Sequence, residues 1–179
     1  METKNVDELR VFGATIQGYV QACINLNIVA GSRASKIISD IEVNGWYPFE
    51  RLMEIEKIVF ESYDNAAPIL ERVGTEAMLG WYNLGPGKDI IKKGVDFLYF
   101  QTGSQGYASV VIGPEELVGS FNLETIDEDK GRAVIISTTP FNKDFERGVI
   151  IGGMSAPGDL DYIDADNSED EHVYNIEFY

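Results

Sequence analysis

The chain has 179 residues, 44% hydrophobic and 25% charged, the make-up of one globular domain, which excludes disorder throughout. Fourteen Lys and Arg against thirty Asp and Glu leave a net charge of −16, which opposes phosphate backbones and anionic lipid. Neither nucleic acid nor membrane is therefore an expected partner.

The opening "METKNVDELR" reads as a polar lead-in without the apolar core of a signal peptide. No apolar run reaches membrane-spanning length, so a soluble, cytoplasmic protein is the expectation. The next stretch, "VFGATIQGYVQACINLNIVAG", fits both a helical stripe (Ile16, Val20, Cys23, Ile28) and strict alternation. Its length favours a helix, with Gly31 as terminator. "SRASKIISDI" then reads as a short helix with Ser32 as N-cap.

In "GWYPFERLMEIEKIVFES", Pro48 suits the first turn of a helix. Leu52, Ile55, Val59 and Tyr63 follow on one face, widened by Phe49 and Met53, while Glu50, Glu54, Lys57 and Glu61 can face water. A further helix is expected from about 67 to 82, ended by "GPG" at 85–87. Two short helices around "TGSQG" are the reading for 88–113.

The last third alternates clearly. "GSFNLETID" and "RAVIIST" read as a hairpin over 120–138, with Gly131 in its turn. "PFNKDFERGVIIGGM" reads as a helix on that hairpin, and "DLDYIDAD" and "HVYNIEFY" as two more strands. The expected fold is α+β in a single domain, 1–179. A mainly helical half (1–113) packs against a four-stranded antiparallel sheet of order β-β-α-β-β (114–179).

Several of these segments resemble a known superfamily. "FGATIQGYVQAC" is similar to the first helix of heme-nitric-oxide/oxygen-binding (H-NOX) domains. "NGWYPFERLMEIEKIVFES" with "ILERVGTEAMLG" resembles a bacterial family of H-NOX-related paralogues. "TTPFNKDFERGVIIGG" resembles the closing part of the same superfamily, which includes vinyl-reductase-type small-molecule-binding domains and transport-particle subunits. The resemblance implies a ligand-binding or sensory fold. In H-NOX proteins a mid-chain histidine holds the iron and a Tyr-x-Ser-x-Arg motif holds the heme propionates. Here the one histidine is His172, and "YASVV" offers Tyr107 and Ser109 but Val111 in place of arginine. Heme held in the family manner is therefore not expected, and no cofactor is assigned. The cysteines that vinyl-reductase-type relatives carry near the closing hairpin are absent, since Cys23 is the one cysteine.

Other chemistry is sparse. Asp164, Asp166, Ser168 and Asp170 mimic the start of a calcium loop, but Glu169 stands where glycine is needed and Asn175 where the bidentate glutamate belongs. Asp164, Asp166 and Asp170 stay as candidates for a divalent cation, with a solvated turn as the simpler reading. Cys23 and His172 could pair as nucleophile and base, but a lone cysteine in an apolar element reads as a small buried hydrophobe. "GPGK", "TGSQG" and "GGMSAPG" lack phosphate-loop spacing. The aromatic set offers the candidate ligand pocket: Trp46, Tyr47, Phe49, Trp81, Phe97 and Tyr107. The expected function is a non-enzymatic, small-molecule-binding signalling domain taking an apolar ligand, with a protein partner or a second copy as further partners. The alternative is an acidic interaction protein without ligand, since eight carboxylates and no Lys or Arg follow Arg147.

Overall fold

The computed structural model describes residues 8–179. Residues 1–7 of the polar lead-in lie outside the described residues. Its end enters a short strand, β1 (Arg10–Phe12). This strand pairs antiparallel with β2 (Trp46–Pro48) on one side and β3 (Val111–Ile112) on the other. The small sheet, of order β2-β1-β3, was not foreseen, because two- and three-residue strands leave no periodicity to read.

The ambiguous stretch is helical: α1 runs Gly13–Asn25 and buries Ile16, Tyr19, Val20 and Cys23. Asn27 takes a φ of 53°, a left-handed position that Asn tolerates, so the helix ends there and not at Gly31. Gly31 instead lies inside α2 (Val29–Ala34), where an added Cβ would come within 2.8 Å of the Cys23 backbone. Ser32 is likewise inside α2 and caps nothing.

Pro48 closes β2 opposite Arg10, an edge position where a missing N–H is harmless, and does not enter the helix. The helix itself, α3, spans Glu50–Ser62 and buries Leu52, Ile55, Ile58 and Val59. Met53 is 55% exposed; at 100° per residue it falls beside Glu50 and Lys57 and does not widen the apolar face. Next come α4 (Ala67–Leu84), α5 (Gly87–Ile90) and α6 (Gly94–Thr102). Asp96 Oδ2 accepts from the Lys92 and Lys93 N–H groups and fixes the start of α6. A single 3₁₀ turn, Tyr107–Ser109, leads into β3, and α7 covers Glu115–Val118.

The closing half has the expected order. β4 (Phe121–Asp127) and β5 (Arg132–Ser137) form the hairpin, α8 spans Lys143–Ser155, and β6 (Ile163–Asp166) and β7 (Val173–Phe178) follow. The strands assemble antiparallel as β4-β5-β7-β6. Alternation places Ala133, Ile135, Ser137, Tyr174, Ile176 and Phe178 on the buried side. Asn142 starts α8 by accepting from the N–H groups of Asp144 and Phe145 at 2.9 and 3.1 Å.

Helices α4 and α8 cross with their backbones in contact. A Cβ on Gly148 would lie 1.9 Å from the Glu71 carbonyl oxygen, and one on Gly74 would lie 2.1 Å from that of Phe145. The Thr75 hydroxyl, in the same crossing, sits 3.2 Å from the Gly148 carbonyl oxygen. Arg147 ties this pair to the sheet: it meets Glu71 on α4, Asp164 on β6 at 2.9 Å and the Ala165 carbonyl at 2.6 Å. One contiguous apolar core runs from Val11 through both halves to Phe178. Among the described residues, no helix is long and apolar enough to cross a membrane.

Candidate functional site

Between α1, α4, the α6–β3 segment and α8 lies a cavity of about 470 Å³, within the size range of small-molecule sites. β1 and α1 contribute Phe12, Ala14, Thr15 and Gly18. α4 contributes Ala77, Met78 and Trp81. Phe100 and Gln101 come from the end of α6, and Gln105, Tyr107 and Val110 from the segment beyond it. Phe141, Phe145, Glu146 and Val149 close the α8 side. Trp81 and Phe100 stack at 5.1 Å and 27°, and Phe141 touches both Tyr107 and Phe145. The wall is thus mostly ring and alkyl surface.

Its polar groups divide into committed and uncommitted ones. The Tyr107 hydroxyl donates to the Val118 carbonyl, and burial raises its pKa. Glu146, 4% exposed, is the one carboxylate on the wall among the described residues. Ser137, Tyr174 and Thr139 donate to it at 2.7, 2.9 and 2.6 Å, and Lys143 pairs with it at 3.2 Å. A buried charge needs such company to be tolerated. One layer behind the wall, Tyr19 packs its ring on Phe145 at 4.9 Å. Among the described residues its hydroxyl is the buried side-chain atom without a hydrogen-bond partner. Burial, with Glu56 and then Cys23 nearby, holds its pKa well above the usual tyrosine value.

Of the six aromatic candidates, Trp81 and Tyr107 stand on this wall and the other four do not. Trp46 sits in β2 with its ring 5.2 Å from Phe12, which is itself on the wall. The Tyr47 hydroxyl accepts from the Glu42 N–H at 2.7 Å and faces the 40–42 backbone. Phe49 is buried edge-on to Phe141. Phe97 is fully buried beside Gly153. Among the wall residues not anticipated, Phe12 is far in sequence from Phe141, Phe145 and Glu146, and no spacing rule joins them.

The acidic residues are spread over separate hydrogen bonds. Asp164 meets Arg147, Asp166 accepts from the Ser168 N–H and hydroxyl, and Asp170 accepts from the His172 N–H. Among the described residues no three His, Cys, Asp or Glu side chains are placed to hold a metal ion. Cys23 is buried under α2, and burial pushes its thiol up to about 12. His172 lies with its Nδ1 3.0 Å from the Ser137 carbonyl oxygen, so the proposed nucleophile and base have different neighbours.

No protein-family model matches the chain, and no curated protein matches it in sequence. Solved structures do match in fold. The H-NOX protein from S. oneidensis in its Fe(II)NO ligation state superposes with a TM-score of 0.65, at 10% identity over 94% of this chain and 99% of that one. The unliganded Fe(II) H-NOX protein from K. algicida gives 0.61, at 12% identity over 94% and 96%. An oxygen-binding H-NOX domain related to soluble guanylate cyclases, in its oxygen complex, gives 0.59, at 11% identity over 93% and 92%.

These neighbours overturn the expectation that no cofactor, and no heme, belongs with this chain: they are iron-bearing heme-type domains, and they point to heme. The absent mid-chain histidine and the valine in place of the propionate-binding arginine do not exclude heme. Heme iron is also held by tyrosine or methionine in other proteins, and much of a porphyrin's seat is apolar wall. Here the wall is largely apolar, and its atoms with metal affinity include Met78 Sδ, Tyr107 Oη and the Glu146 carboxylate. The latter two are committed to hydrogen bonds within the protein. The chain has the H-NOX fold, a mixed arrangement of helices and antiparallel sheets.

Proposed function

We propose that this chain is a ligand-binding sensory domain that seats its ligand in the cavity between α1, α4, α6 and α8 and acts without catalysis. The cavity carries the reading: about 470 Å³ of largely apolar wall in a fold whose solved neighbours include gas-liganded Fe(II) proteins. Its ligand is flat and mainly apolar, and heme is the first to test. The lining sets no nucleophile beside a base, which favours binding over turnover.

Titration with hemin, followed by absorbance and native mass spectrometry, tests this. The expected result is a one-to-one complex that the variant Gly18→Phe weakens. Gly18 lines the cavity and a Cβ there meets nothing within 4 Å, so the ring fills ligand space without displacing backbone. The reading is lost if neither hemin nor any co-purified small molecule is retained by the native chain. It is equally lost if Gly18→Phe binds as well as the native protein.

A further inference from the structure

We propose that Glu146 is the polar recognition point of the cavity and that the ligand presents an N–H or O–H donor to its Oε1 atom. The inference rests on the cavity being a ligand site and not on heme as its occupant, since heme's propionates are carboxylates and its nitrogens carry no N–H. The two carboxylate oxygens are unequally served. Oε2 takes three donors: Ser137 at 2.7 Å, Tyr174 at 2.9 Å and Lys143 at 3.2 Å. Oε1 takes one, Thr139 at 2.6 Å. A carboxylate oxygen accepts along two lone-pair directions, so Oε1 keeps one open.

Burial makes that opening matter. Glu146 is 4% exposed yet forms part of the cavity wall, so bulk water serves it poorly. Its balancing cation, Lys143, is not among the lining residues, so Glu146 and not Lys143 brings charge to the wall. Around it the wall is apolar: Phe141, Phe145 and Val149 from the same side, with Trp81 and Phe100 also lining the space. A buried acceptor framed by rings selects a flat ligand with a donor on one edge. It rejects an isostere without the donor, because the open lone pair of Oε1 would then be buried unpaired.

Carbazole and dibenzofuran test this directly, having the same three-ring outline with N–H or oxygen at the central edge. Binding is read by carbazole fluorescence and by displacement. The native chain should hold carbazole about tenfold or more tighter than dibenzofuran, the worth of one hydrogen bond to a charged acceptor. In Glu146→Gln the ratio should fall to about threefold or less, as for a neutral acceptor. Equal affinities in the native chain, or an unchanged ratio in Glu146→Gln, overturn the proposal and leave the cavity reading standing. If neither probe binds, the proposal falls and the hemin titration decides the cavity reading; if Gly18→Phe binds both as well as the native chain, both fall. Should Glu146→Gln fail to fold by circular dichroism, the native ratio alone decides.

Discussion

Glu56 on α3 is held in a poor place for a charge. Burial first, and Asp144 on α8 second, push its carboxyl from an ordinary 4.5 up to about 7. The folded chain therefore binds a proton that the unfolded chain releases between those values. Stability contributed by this group is present below pH 4.5 and is lost as pH rises through 7. At 1.36 kcal/mol per decade of proton affinity, the loss at pH 8 is about 3 kcal/mol as an upper figure, and about 2 after allowing for partial exposure. Glu56→Gln removes the titration and keeps the shape. Its thermal midpoint should exceed the native one by about 4 to 10 °C at pH 8, taking 2–4 °C per kcal/mol for a chain of this size. At pH 4.5 the two should differ by no more than about 1–2 °C. Differential scanning calorimetry across this range decides. A gain that is the same at pH 4.5 and pH 8, or a loss at pH 8, would refute the reasoning.

Other outcomes follow from the same packing. Gly148→Ala drives a methyl into the Glu71 carbonyl, so it should cost about 1–3 kcal/mol and lower the thermal midpoint by roughly 3–10 °C. Arg147→Met cuts the link from α8 to Glu71 and Asp164, a half-exposed network worth about 1–2 kcal/mol in denaturant titration. Cys23 is fully buried with its thiol pushed up to about 12, so Ellman's reagent at pH 8 should find it only after unfolding. Rapid labelling of the native chain would contradict that burial.

Where one face of a segment alternates or repeats over several turns, the sequence carried its structure plainly. Leu52, Ile55 and Val59 announce α3, and Ala133, Ile135, Tyr174 and Ile176 announce the sheet, because burial imposes the helical or strand period on each. Trp46–Pro48 shows the limit. A proline before a helix has two readings, and only the long-range pairing with Arg10–Phe12 chooses the strand. The cavity was legible in part, as an aromatic-rich chain with segments resembling a ligand-binding superfamily. Its wall was not, since Phe12, Trp81, Phe100 and Glu146 converge from four elements whose crossing depends on contacts across much of the chain. Tyr47, Phe49 and Phe97 look equally suitable in sequence, yet point into backbone or core. The cofactor expectation, drawn from a missing histidine and a missing arginine, erred for a related reason: a prosthetic group is seated by a whole surface.

The glycine-lined crossing of α4 and α8 gives the cavity one stiff jaw. With no side chains between Gly74, Gly148 and the facing carbonyls, there is no layer to compress or repack. Trp81 and Glu146 ride on these two helices, so the spacing of ring and carboxylate follows from that backbone contact. The opposite side is more lightly built: Gln105 and Ser109 are exposed and the chain is held by the two-residue strand Val111–Ile112. That segment continues, through Tyr107 and the Val118 carbonyl, into the first strand of the four-stranded sheet. Under the proposed function, this hydrogen bond is the route by which that side of the cavity reaches the sheet.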